Sequence, residues 1–397
     1  MAGAFSWHFG AGRPAGGALP WALASFGLAS AGQVAPPLCA LAAGFALLFV
    51  FRGTGRLVET AAIVCIYFVA QTGMNLYMKS VLSQEVVDES AGFKGVPIGF
   101  LVTAIQQFVA FFVFCSYLWV GKLMGRGYRV KQFSNWTAYF AVFCFSVFAA
   151  LNLGLNNFSL SLVAISINMV IRGCLPLFAA VSQTLVDSAL GRDRKAIPAM
   201  DWLLMIAGVC CACLATYAKS KASDSIEDSE SLRLGVVVCV ASVFAGALSM
   251  VLAGVLGSEL KLKPAETTCY MALPAGLVLL APAFAVPHPM GTWPGSPHMT
   301  DWQVLKEVME RKPTVLLPVL FSGVLAFLYN ILQYWLVHKL SAAHAAFAGN
   351  FNKAATVVLF LALGLERLPE GGYNAMFLLA VAGDIAAFTM YSVRKAR

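Results

Sequence analysis

Residues 158–186 read FSLSLVAISINMVIRGCLPLFAAVSQTLV, and residues 340–365 read LSAAHAAFAGNFNKAATVVLFLALGL. Each is an apolar run long enough to cross a bilayer as a helix. Each also carries one cation, Arg172 in the first and Lys353 in the second. At about 1.5 Å per residue both charges fall about 20 Å into their runs, near the middle of a hydrocarbon core about 30 Å thick. A cation at that depth costs about 2.5–3.5 kcal/mol on insertion scales, so it is kept for a partner or a ligand. Two such cations in one chain point to the handling of an anion.

The rest of the chain fits that frame. Hydrophobic residues make up 59% of the 397 and charged residues 12%, with a mean hydropathy of +0.77, outside the range of soluble domains. About ten runs of spanning length recur, at 61–83, 98–120, 136–155, 158–186, 199–218, 235–257, 267–286, 314–337, 340–365 and 372–391. They are continuous rather than alternating, which fits helices and excludes an outer-membrane barrel. The expected fold is an all-α polytopic membrane protein embedded in a lipid bilayer.

The connections alternate in charge. One set carries Lys122, Arg126, Arg129 and Lys131, then Arg192, Arg194 and Lys195, then Lys261 and Lys263, then Lys339, and finally Arg394, Lys395 and Arg397. The intervening set carries Glu85, Asp88 and Glu89, then Asp224, Glu227, Asp228 and Glu230, then Glu366 and Glu370. An even helix count then puts the basic loops and the C-terminus in the cytosol. The net charge of +8 is accounted for by topology, and no basic patch interleaved with exposed aromatics points to nucleic acid. Thr300 to Gln303 reads as a capping box opening a short helix through Arg311, in the longest connection.

Several features carry less. Residues 1–58 contain no acidic residue and read as an extension, a signal anchor or a targeting leader; the run Leu38–Phe51 would supply an extra N-terminal helix if it spans. Cys210, Cys211 and Cys213 lie inside an apolar span without His or carboxylate neighbours, so buried thiols packing helices are expected rather than a metal site. Sequons at Asn135 and Asn157 fit glycosylation poorly under this topology. No zinc-hydrolase, nucleophile-elbow or Walker-type motif is found, so the reading is of a non-enzyme without a cofactor, driven by gradients or exchange.

The polar stretch 219–233 divides the spans into 59–218 and 234–397, five on each side. An odd number of helices in each half makes the two inverted repeats, which places a substrate site between them. Arg172 and Lys353 occupy the fourth helix of their respective halves and so can meet. Two isolated cations repel in a dry site; an anion or water between them resolves this, as would backbone carbonyls or snorkelling for each. Asn350 and Asn352 flank Lys353, Asn168 lies a turn before Arg172, Tyr329 and Asn330 lie in the eighth span, and His344 opens the ninth. Such amides and phenols can hydrogen-bond sugar hydroxyls or phosphate oxygens, or hold helices together. Asn75 and Lys79 approach the outer end of the first span, where Lys79 is either an interface anchor or a recruiting charge. Asp384, the lone acid of the last span, lies off the predicted centre; it can pair with a cation or couple a proton, and a structural partner is the expected role.

These residues resemble a family. Asn75-x-Tyr77-x-Lys79-x-Val81-Leu82 looks like the opening helix of the triose-phosphate/nucleotide-sugar translocators of the drug/metabolite transporter superfamily. Pro97 to Gln106 resembles their second helix. Arg172 ahead of Leu175-Pro176-Leu177-Phe178 is similar to their fourth. Tyr329-Asn330, Gly349-Asn350-Phe351-Asn352-Lys353 and Glu366 resemble their eighth and ninth, and Gly383 to Ser392 with Lys395 resembles their ending. The resemblance implies a ten-helix antiporter exchanging a phosphorylated organic anion for a counter-anion, with pairing of two copies left open. Ala354 follows Lys353 where plastid sugar-phosphate members carry an Arg, so a nucleotide sugar exchanged for a nucleoside monophosphate in Golgi or ER membrane is the expected activity. A plastid-envelope exchanger of triose phosphate or phosphoenolpyruvate for phosphate is the alternative, and a non-transporting membrane scaffold the third reading.

Overall fold

A computed structural model of the chain describes residues 56–83, 85–125, 130–133, 135–189, 191, 197–221, 226–290, 293, 298–339, 349, 353, 357, 361, 368–369 and 371–396. The helices are α1 (Arg56–Ser83), α2 (Gly99–Leu123), α3 (Trp136–Leu162), α4 (Ile165–Gly173), α5 (Leu175–Ala189), α6 (Ala199–Lys221), α7 (Ile226–Glu259), α8 (Pro264–Ala285), α9 (Asp301–Arg311), α10 (Leu316–Lys339) and α11 (Gly372–Ala396). Two short hairpins join them, β1 (Val86–Asp88) with β2 (Phe93–Lys94) and β3 (His288–Pro289) with β4 (His298–Met299). Seven of the described helices are long and apolar enough to cross a membrane, and the bent pair α4–α5 makes an eighth. The chain is thus an all-α protein with the helices of an integral membrane protein. The expected leader lies outside the described residues, as does most of the ninth span.

Two boundaries differ from the sequence reading. The turn expected between 155 and 158 lies at Val163 and Ala164, because α3 runs through to Leu162. Asn157 does not break the helix; its amide donates to Thr103 Oγ1 on α2 at 2.8 Å. The polar stretch 219–233 is largely taken up by the ends of α6 and α7. The cysteine expectation also needs correction: Cys211 packs on Gly383 of α11, but Cys210 and Cys213 are exposed on the outside of the bundle.

The connections sort onto two faces. On one, α9 opens with the predicted capping box, Thr300 Oγ1 accepting from Gln303 N–H and Gln303 Oε1 from Thr300 N–H. Its far end is tied to the α1–α2 connection, Arg311 Nη1 to Asp88 Oδ2 at 2.8 Å and Lys312 Nζ to Glu85 Oε1 at 2.9 Å. The Arg311 guanidinium lies on the Phe93 ring, which stacks on Trp293. Beneath them the buried Asp301 accepts from Leu101 N–H at the start of α2, at 2.7 Å, and pairs with His288. On the opposite face, Glu266 in the first turn of α8 accepts from Lys131 N–H at 3.1 Å, and Lys131 Nζ donates to Leu260 O. A carboxylate therefore sits at the N-terminus of both α2 and α8, where the unpaired N–H groups and the helix dipole favour it.

Between these faces the longest packing seams are α3 on α7, α6 on α11, and α2 on α8, with α2 also on α10, α3 on α8 and α1 on α10. Glycine lets the α6–α11 seam close, since a methyl at Gly208 would collide with the Phe388 ring, the small-residue packing that membrane helices depend on. Gly208→Ala is expected to destabilise the detergent-solubilised protein by about 1–3 kcal/mol through overpacking, read as a lower thermal midpoint by tryptophan fluorescence.

A second prediction concerns Asp88. Hydrogen bonds from the Ser90 hydroxyl, the Ala91 N–H and Arg311 hold its carboxyl down at about 2, from an ordinary 3.8. A depressed carboxylate lends its stability fully above the ordinary value and loses it as pH falls from there toward the folded one. The protection factors of the α9 amides, with intrinsic exchange divided out, should therefore hold down to about pH 4 and fall below it, whereas Asp88→Asn should lower them already at neutral pH.

Candidate functional site

Pro176 sets the geometry of the two cations. A helix donates from N–H of residue i to the carbonyl of i−4, and proline has no N–H to give. The Arg172 carbonyl therefore lacks its donor at position 176, and the helix breaks at Cys174, with α5 turned 41° from α4. The carbonyl accepts a main-chain N–H at the Cys174 cap instead, and Lys353 Nζ also donates to it, at 2.8 Å. The two cation-bearing segments thus meet, through the side chain of one and the main chain of the other. The Arg172 guanidinium reaches α7 instead, where Nη1 donates to Ser242 Oγ at 3.3 Å. Because α4 begins at Ile165, Arg172 lies about 10 Å along its helix, half the distance counted from Phe158.

Gly349, Lys353, Val357 and Leu361 are helical and four residues apart, so they mark one face of the ninth span. Lys353 and Val357 line a small cavity together with Met169, Val170, Gly173, Val381, Asp384, Ile385 and Phe388. Its volume of about 10 Å³ admits about one water. Asp384 lines the same cavity as Lys353, which brings it to the cation rather than off the centre. It is 4% exposed, and its Oδ1 has no hydrogen-bond partner among the described residues. Gly173 makes the room, because a methyl there would lie 2.6 Å from Asp384 Oδ2.

The other sequence candidates divide. Tyr329 stacks on Tyr67 of α1, ring centroids 5.9 Å apart and 17° from parallel, and both lie within electrostatic reach of Arg172. Asn330 is buried on α10. Asn75 lies between α1 and α4, its amide 3.8 Å from Met169 Sδ. Lys79 is drawn under the end of α3, donating to Leu160 O at 2.7 Å and Val163 O at 3.0 Å. It satisfies terminal carbonyls at the negative end of a helix dipole. Asn168 is buried, its amide 3.3 Å from Ser159 Oγ. Asn350, Asn352 and His344 lie outside the described residues. Sequence reasoning missed Tyr67 and Ser242, which carry no signal beyond being polar in an apolar span. The isolation of Asp384 was a signal, read too weakly.

No family model matches the chain, and no curated protein matches it. A solved structure described as "Crystal structure of protein" is similar over 85% of this chain and 97% of its own, at 12% identity and a TM-score of 0.44. A likeness at that level adds nothing to the account of the fold.

Pro176→Ala restores the missing donor and is expected to straighten α4–α5. A 41° bend acting over about 16 Å of helix from Cys174 to Leu185 moves the end of α5 by about 10 Å. Pulsed EPR between spin labels at Leu185 and Leu203, both exposed, reads that movement in a background with the native cysteines replaced. An unchanged distance would show that Pro176 does not set the bend.

Proposed function

We propose that this chain is an antiporter that exchanges a nucleotide sugar for a nucleoside monophosphate by alternating access. The observation that carries the reading is the hydrogen bond from Lys353 Nζ to the Arg172 carbonyl. An ammonium held by a neutral carbonyl inside an apolar bundle can be drawn to a phosphate oxygen, a charged acceptor that binds it about twice as strongly. Arg172 supplies a second charge beside it and a planar fork suited to phosphate. The stacked pair Tyr67–Tyr329 offers aromatic surface next to those charges, and this favours a substrate with a base over a simple sugar phosphate.

Two five-helix halves related by inversion belong to the same proposal. Exchanging α1 with α7, α2 with α8, α3 with α10 and α6 with α11 turns the packing of α3 on α7 into that of α1 on α10, and that of α2 on α10 into that of α3 on α8. The seams α2–α8 and α6–α11 map onto themselves. The carboxylate clasps at the starts of α2 and α8 are mates under the same exchange. Such a frame puts the substrate between the halves, where Arg172 and Lys353 meet. The basic connections would face the cytosol, and Golgi or ER is the membrane that suits a nucleotide sugar.

The test is exchange in proteoliposomes. Vesicles preloaded with UMP or GMP are expected to take up labelled UDP- or GDP-sugars, and vesicles preloaded with phosphate are not. Uptake of triose phosphate against internal phosphate, with none of nucleotide sugar, would replace this reading with the sugar-phosphate one. Arg172→Ala and Lys353→Ala each remove charged hydrogen bonds worth about 1.5–3 kcal/mol, so exchange should fall about ten- to hundredfold while membrane insertion persists. Wild-type exchange by either well-folded variant would remove that residue from the site.

A further inference from the structure

The cavity between α4, α11 and the ninth span holds a cation and a carboxylate in an otherwise apolar lining. Lys353 is 8% exposed and Asp384 4%, and Met169, Val170, Val357, Val381, Ile385 and Phe388 surround them. An ionised carboxylate at such a place is costly unless a cation balances it. Lys353 is near enough to act on it. Among the described residues, the other titratable groups facing Asp384 are the thiols of Cys174 at the α4–α5 break and Cys211 on α6, with Cys210 and Cys213 further along α6. The Arg172 guanidinium, which is bonded to Ser242, acts on Lys353. No thiol carries a fixed positive charge, so among the described residues Lys353 is the cation that faces the carboxylate.

We propose that Asp384 is the counter-charge Lys353 gives up when it takes a phosphate, and that the carboxylate binds a proton in the same step. This deepens, and rests on, the reading of the site as an anion site. Once the ammonium turns to a phosphate, an ionised Asp384 would stand in an apolar cavity beside a second anion, with its Oδ1 still lacking a donor. One proton from water converts the carboxylate to the acid, and the new O–H can donate to the single water the cavity admits. Lys353 remains an ammonium throughout, and no bond of the anion is made or broken. Gly173 is what lets the acid stand there, since any side chain at that position would displace the carboxylate.

The linkage has a definite sign. The protonated form of Asp384 favours the anion, so affinity rises as pH falls through its titration and levels off below it, with a slope of up to about tenfold per pH unit. The test is titration calorimetry of the purified full chain with UDP-glucose, GDP-mannose and inorganic sulfate, whose charges are fixed across the neutral range. Paired buffers of different ionisation enthalpy then give the proton count. Wild type is expected to take up close to one proton per anion at the upper end of the slope. Asp384→Asn should bind without proton uptake, with an affinity independent of pH and near the acidic limit of wild type. The wild-type proton count stands alone if the variant fails to fold. Anion binding without proton uptake, or unchanged uptake in Asp384→Asn, would overturn the inference and leave the anion site standing. No binding of any of these anions at any pH would overturn the site and the inference together.

Discussion

The Arg172 carbonyl, at the break between α4 and α5, joins the two cation-bearing segments. Pro176 cannot donate to it; it accepts a main-chain N–H at the Cys174 cap and, with its second lone pair, the ammonium of Lys353 at 2.8 Å. A buried ammonium needs acceptors, and the Arg172 carbonyl supplies one to Lys353. Next to that carbonyl lie the bend at Cys174 and Gly173, whose missing side chain leaves room for Asp384. This hydrogen bond joins the two halves of the chain, as do those from Leu101 N–H to Asp301 and from Arg172 to Ser242.

The packing sets limits on what can move. The α2–α8 seam is clasped at both ends, by Asp301 on one face and by Glu266 with Lys131 on the other. The α6–α11 seam is closed by Gly208 and Gly383 against Phe388 and Cys211. By contrast α4 is nine residues long, ends at a break, and meets α11 and the ninth span across a cavity. In the proposed cycle α2 and α8 form the fixed frame, and the two cation-bearing segments move against it. Hinges of this kind fall at element ends, where a few dihedrals can absorb the change.

Much of this was legible in the sequence because hydrocarbon thickness and helical rise leave few alternatives. The described spans came through as helices, and the Thr300–Gln303 box opened α9 where the residue types said it should. Charge alternation put Lys131 in one set with Lys261 and Lys263, and Lys131 does lie against the 260–266 segment. The turn at Val163–Ala164 was missed because it contains no glycine, proline or polar residue, whereas Asn156 and Asn157 two turns earlier looked like a boundary. Asn157 instead spends its polarity across the α2–α3 interface. Lys79 could not be assigned because its partners are main-chain carbonyls at the end of a different helix, which no side-chain pattern encodes. Asp384 was set off the centre by counting along a straight helix. The bend at Cys174 and the absence of a side chain at Gly173, neither of which a count records, bring it to Lys353.

The most direct measurement is an electron cryomicroscopy structure of the chain with UDP-glucose or GDP-mannose at saturating concentration. The account predicts phosphate density within hydrogen-bonding distance of Lys353 Nζ and the Arg172 guanidinium, with Nζ withdrawn from the Arg172 carbonyl. Phosphates bound elsewhere, with Lys353 still on that carbonyl, would contradict it.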